Sequence, residues 1–214
     1  MNLKETIINI IAIVLIVVLP HTGIFPNFIY SIPILLFVWF ALKSSNQTFY
    51  DIGFSFKRFK PKSILIGSII AILTLSFMQL IFFPILEHFV TFKETDVDLY
   101  NFLKENRGQY FFILIMGFLI GGIYEEIVFH GFIFSSLEKI FKGKYATKIS
   151  FFLTAVLFGI YHIQLGIDGL INALLVGTVY LTLFLYFKRN LWYSIFCHGI
   201  YNTIVITMIY HGYL

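Results

Sequence analysis

YFFILIMGFLIGGIYEEIVFHGFIF, residues 110–134, is apolar over its whole length except for two adjacent carboxylates, Glu125 and Glu126, and one imidazole, His130. A run this long and this apolar reads as a membrane-spanning helix. A carboxylate at bilayer depth costs roughly 2.5–3.5 kcal/mol on insertion scales. Two in succession call for polar partners on neighbouring helices. The chain supplies them: His162, and His198 with Asn202, each on its own hydrophobic segment.

The rest of the composition agrees with a lipid-embedded chain. Of 214 residues, 59% are apolar, 12% charged and 20% aromatic, with mean hydropathy +0.89. Soluble domains carry about 25% charged residues. The apolar runs are continuous, whereas a closed outer-membrane barrel would alternate over ten-residue strands. The expected fold is therefore all-α, a polytopic transmembrane helix bundle forming a single integral membrane domain over 1–214. The single cysteine, Cys197, rules out an internal disulfide and reads as a small buried residue. Residues 3–19 lack a small-residue cleavage site and read as a retained first span. The net charge of +4 does not point to nucleic acid, because the basic residues fall in short loops rather than on one surface.

Seven candidate spans (six to eight with boundary tolerance) follow from the length a bilayer requires: 5–19, 27–42, 63–86, 109–137, 149–163, 169–187 and 191–210. The first two are short, and Pro20 and Pro26 bracket the turn between them. Pro84 is expected to kink or end the third. With the N-terminus inside, twelve of fifteen basic residues fall on the cytoplasmic side, among them Lys57, Arg58, Lys60, Lys62, Lys142, Lys144, Lys188 and Arg189. Lys93, Lys104 and Arg107 fall in the acidic outer segment 87–108.

Spacing assigns faces. His198 and Asn202 are i, i+4 and share one helix face, as do Glu126 and His130. Glu125 and Glu126 lie about 100° apart around the axis and so cannot do the same job. Counted from the cytoplasmic ends at about 1.5 Å per residue, Glu125 and His162 lie roughly 20 Å up and His198 roughly 10 Å up. Tilt permits one shared chamber. Gly117, Gly121 and Gly122 would let a neighbouring helix approach just before the carboxylates. Tyr124, Tyr161 and Tyr201 read as amphipathic packing residues, and His21, His88 and His211 as interfacial. On its own, the glutamate pair fits catalysis, a structural hydrogen-bond cluster or a lumen-facing ion site.

Taken in order, Glu125-Glu126-Ile127-Val128-Phe129-His130, then Phe158-Gly159-Ile160-Tyr161-His162, then His198-Gly199-Ile200-Tyr201-Asn202 resemble the motifs of the CAAX protease and bacteriocin-processing family of intramembrane proteases, also called Abi. That family carries Glu-Glu-x-x-x-Arg, Phe-x-x-x-His and His-x-x-x-Asn. The resemblance covers about half the chain, with a catalytic core at 109–210. His130 stands at the arginine position, and a histidine can mimic that charge only when protonated.

The resemblance implies hydrolysis of a peptide bond within or beside the membrane. The catalytic set is then Glu125, His162, His198 and Asn202, supported by Glu126 and His130. Glu125 acts as general base, His162 positions the water, and His198 with Asn202 stabilise the oxyanion. Glu125, His162 and His198 are also the alternative ligand set for a divalent metal such as zinc. The route without a metal is favoured, because Asn202 suits an oxyanion donor better than a zinc ligand. The implied partners are membrane lipid and a peptide or protein with a membrane-associated cleavage site. The implied location is a bacterial plasma membrane. The competing reading is a catalytically weak homologue that acts by binding, as a bacteriocin immunity protein does.

Overall fold

The computed structural model describes residues 2–26, 28–90 and 106–213. Among them the regular structure is entirely helical, with no strands. Seven helices correspond to the seven apolar runs. They are α1 Leu3–Val18, α2 Ser31–Ser44, α3 Pro61–Glu87, α4 Arg107–Phe141, α5 Ala146–Tyr161, α6 Gly166–Tyr186 and α7 Trp192–His211. Most of the acidic outer segment 87–108, with Lys93 and Lys104, lies outside the described residues.

Four stretches are long and apolar enough to cross a membrane: Leu3–His21, Pro61–Glu87, Arg107–Phe141 and Ile163–Tyr186. Helices α2 and α5 are apolar but shorter. Helix α7 has 20 residues but a more polar face, with His198, Asn202 and Tyr201 along it. Four candidate spans are thus visible where composition alone suggested about seven.

Local chemistry sets the boundaries. Asn2 and Glu5 form a reciprocal capping box at the start of α1. The Asn106 side chain caps α4 by accepting from the backbone N–H of Gly108 and Gln109. Gly212, at φ +75°, closes α7 in the left-handed conformation. Pro84 does not end α3. The helix instead widens into an i→i+5 turn over Met78–Phe82 and continues to Glu87. That widening accommodates the ring and the missing N–H.

Two ends of the bundle are defined by side-chain contacts. At one, Arg58 donates to the carbonyl of Arg189, Trp192 donates to the carbonyl of Ser55, Arg189 pairs with Glu138, and Lys139 bonds Gln47. At the other, the Tyr110 and Tyr210 rings stack at 4.2 Å, and Tyr161 lies edge-on to His21 at 5.7 Å. The helices therefore run alternately up and down between these ends. Every described lysine and arginine except Arg107 belongs to the first end.

Helix α7 is the centre of the packing, seated against α3 on one side and α4 on the other. Small residues make this possible. A methyl on Gly67 of α3 would come 2.8 Å from the backbone nitrogen of Cys197, and one on Gly122 of α4 would come 3.0 Å from Gly199 Cα. Close approach of this kind is how helices associate where lipid supplies no hydrophobic drive.

Candidate active site

From Gly117 to Ile133, α4 is wound in i→i+5 turns rather than α-helical ones. Such turns ordinarily come singly and often mark functional sites. Here they carry Glu125, Glu126 and His130, all buried.

The two neighbouring carboxylates face different surroundings. Glu126 is saturated: Oε2 accepts from His130 Nδ1 at 2.8 Å and Oε1 accepts from His198 Nδ1 at 2.9 Å. Glu125 turns the other way. Its Oε2 is buried with no hydrogen-bond partner, 3.6 Å from His162 Nε2 and 3.9 Å from His198 Nε2. Both separations are too long for direct hydrogen bonds and are of the size one bridging water spans.

The histidine tautomers follow from their partners. His162 Nδ1 lies 2.8 Å from the carbonyl of Phe158, which can only accept, so Nδ1 carries the proton. An ionised Glu126 likewise demands a donor at His198 Nδ1. In the neutral rings, both Nε2 atoms therefore present lone pairs toward Glu125. His162 sits just past the end of α5 rather than within it, at φ −100° and ψ 12°.

Aromatic side chains hold this arrangement from behind. The Tyr180 ring stacks on His198 at 4.5 Å. Phe158, 1% exposed, lies 4.7 Å from the His162 ring, 5.2 Å from His130 and 5.8 Å from His198. Gly177 makes room for it, since a methyl there would meet the Phe158 ring at 2.6 Å.

Asn202 completes the group. Its amide donates to the carbonyl of Gly117 at 3.3 Å. A methyl on Gly121 would collide with that amide and come 3.3 Å from His198 Nε2. Gly117, Gly121 and Gly122 all face α7, as their spacing before the carboxylates suggested.

Glu125, His162, His198 and Asn202 all line one cavity of about 670 Å3, enclosed mainly by α4, α6 and α7. Its walls also contain Tyr30, Tyr161, Asn172 and Tyr201. Tyr30 and Tyr161 share a hydroxyl–hydroxyl bond of 3.0 Å, and Tyr201 donates to Asn172 at 2.9 Å. Reading the sequence missed Tyr30 and Asn172 and treated Tyr161 and Tyr201 as packing. Nothing in the spacing of Tyr30, at the start of α2, ties it to motifs more than ninety residues away.

Two expected features look different in place. The estimate from helical rise set His198 about 10 Å below Glu125. The gap closes because α7 starts inside the bundle: Leu191, Trp192 and Tyr193 are buried, Trp192 beneath Phe54, Phe56 and Phe59, whereas Phe141 at the end of α4 is exposed. Cys197 is fully buried and free. The alternative metal set was also tested by geometry. Among the described residues, no three or more His, Cys, Asp or Glu side chains form a group arranged to hold an ion.

Residues 107–204, a little under half of the chain, match the family model described as Type II CAAX prenyl endopeptidase Rce1-like, and through this segment the chain belongs to the CAAX protease family. No curated protein and no solved structure matches it. The matched segment contains the whole Glu125, Glu126, His130, His162, His198 and Asn202 constellation. It leaves out α1, α2 and α3, and with them Tyr30. The long apolar helices and this family together make the chain a membrane protein.

Proposed function

We propose that the chain is an intramembrane endopeptidase in which Glu125 is the general base. The observation that supports this is the buried Glu125 Oε2 without a partner, facing two imidazole lone pairs at 3.6 and 3.9 Å. A water bound there hydrogen-bonds to Glu125 and His162 and attacks the scissile carbonyl of a peptide in the cavity. Glu125 takes the proton of the attacking water and returns it to the leaving amine.

Oxyanion stabilisation falls to His198 and Asn202, which share one face of α7. The Asn202 amide has a second N–H beyond the one given to Gly117, and that hydrogen is available to the developing charge. His198 contributes once protonated at Nε2, a form that the ionised Glu126 at Nδ1 supports. Glu126 and His130 are positioning residues. No step is derived through a metal, because Glu125, His162 and His198 are not grouped as ligands.

The catalytic core spans 109–210 within one integral domain of seven crossings in a bacterial plasma membrane. Substrates are membrane-associated peptides, and a role in bacteriocin processing or self-immunity is consistent with the family. In purified protein reconstituted into liposomes, Glu125→Gln and His162→Ala should each abolish cleavage of a membrane-associated peptide while the helical content is retained. Cleavage surviving in either variant would remove this mechanism.

A second reading, immunity by binding alone, draws on His130. With Nδ1 given to Glu126, His130 Nε2 is buried without a partner where the family has an arginine. Protection of a host that survives Glu125→Gln would favour binding over catalysis.

A further inference from the structure

The catalytic cavity opens at one end of the bundle only, and that end is the one poor in lysine and arginine. Its floor is formed by buried side chains, Phe158, Ala173, Val176 and Tyr180. Exposure rises away from them, to Gln109 and Phe112 at the start of α4 and Gln164 in the turn between α5 and α6. These residues lie at the end marked by the Tyr110–Tyr210 stack and the Tyr161–His21 contact. The opposite end gathers Lys57, Arg58, Lys60, Lys62, Lys139, Lys142, Lys144, Lys148, Lys188 and Arg189 around the Arg58–Arg189 and Glu138–Arg189 contacts. Short loops rich in Lys and Arg are retained on the cytoplasmic side of a membrane.

We propose that the peptide enters from the non-cytoplasmic face, so that the enzyme acts on a segment already carried across the membrane. This inference rests on the endopeptidase reading and adds to it the face from which substrate comes. The wall chemistry narrows the substrate further. Apart from Glu125, no Asp, Glu, Lys or Arg lines the cavity, and its other polar groups are amides and phenols, with His162 and His198 at the floor. An uncharged, mostly apolar segment fits such a wall, since a charged side chain brought there would be buried without a counter-ion. An exported, membrane-anchored peptide meets both conditions. A lipidated C-terminus displayed in the cytoplasm meets neither, because it arrives at the wrong end and carries a carboxylate.

Orientation can be read without turnover. The native Cys197 is fully buried, so the wild-type protein provides the background. Single cysteines introduced as Gln109→Cys and Gln164→Cys report the mouth, and Lys57→Cys and Lys144→Cys report the basic end. Intact cells are treated with a membrane-impermeant maleimide, then permeabilised cells, then protein unfolded in SDS. The expected result is labelling of both mouth reporters in intact cells at no less than half the permeabilised level. Both basic-end reporters should stay at least tenfold lower until permeabilisation. The reverse pattern overturns the proposal, and so does labelling of the mouth reporters only after unfolding. If Glu125→Gln keeps full activity, the hydrolytic reading fails while this labelling result stands on its own.

Discussion

Glu126 and His198 are joined by a hydrogen bond of 2.9 Å that closes 72 residues of chain and fixes which nitrogen of the imidazole looks into the cavity. The carboxylate's other oxygen is taken by His130, so Glu126 accepts two N–H groups, one on each oxygen. A glutamine in its place has only one oxygen and would point its own N–H2 at one of two ring donors. Glu126→Gln should therefore lower stability by about 1–3 kcal/mol, the cost of a buried group left unsatisfied. It should also cut kcat at least tenfold with little change in KM. Thermal unfolding in detergent and steady-state cleavage measure the two effects; unchanged kcat would show that the His198 tautomer is immaterial.

Gly121 offers a way to disturb the oxyanion side without touching a catalytic residue. A methyl there strikes the far end of the Asn202 side chain, which can swing aside, so Gly121→Ala should fold but lose at least tenfold in turnover. Gly122→Ala meets the backbone of Gly199 instead, which cannot swing. It should lower stability by about 1–3 kcal/mol, as overpacking does. Comparing melting temperatures with cleavage rates separates the two. A Gly121→Ala protein with full activity would dispose of Asn202 as an oxyanion donor.

His130 supplies one hydrogen bond to Glu126 and nothing else among its resolved partners. His130→Asn can keep a donor near the Nδ1 position, while His130→Ala cannot. Alanine should cost about 1–3 kcal/mol plus most of the activity, and asparagine should recover a measurable part of both. Equal activity in the two variants would assign His130 to packing against Phe158 and Tyr180 rather than to Glu126.

A reaction run by Glu125, His162, His198 and Asn202 needs no ion. Cleavage by the reconstituted protein should persist after dialysis against a strong chelator, with metal analysis of the same sample below one equivalent. Activity lost on chelation and restored by zinc would move Glu125, His162 and His198 from acid–base roles to ligands.

Much of the architecture was legible in the chain because lipid imposes a simple constraint. Apolar runs of helical length mark helices wherever backbone groups must satisfy one another, and all seven runs became helices. The number of crossings was less legible, since α2 and α5 are short and α7 spends its surface on polar side chains rather than on lipid contact. The i, i+4 pairs Glu126/His130 and His198/Asn202 gave the shared faces. Depth was misjudged for His198 because residue counting assumes that helices start level, and Trp192 starts α7 beneath the 53–59 loop. Tyr30 was invisible for a different reason: it joins the cavity through tertiary packing with Tyr161, which no local pattern encodes.

The wall formed by Phe158 and Tyr180 has a kinetic consequence. Closed packing at the back leaves hydrolytic water no separate inlet, so water and peptide must use the same approach. A tightly fitting apolar segment would dry the chamber ahead of itself, and turnover would then depend on a water already held beside Glu125 when the peptide arrives. Longer or bulkier peptides should bind more firmly yet be cut more slowly, a trade-off set by the shape of the vestibule rather than by the strength of the base.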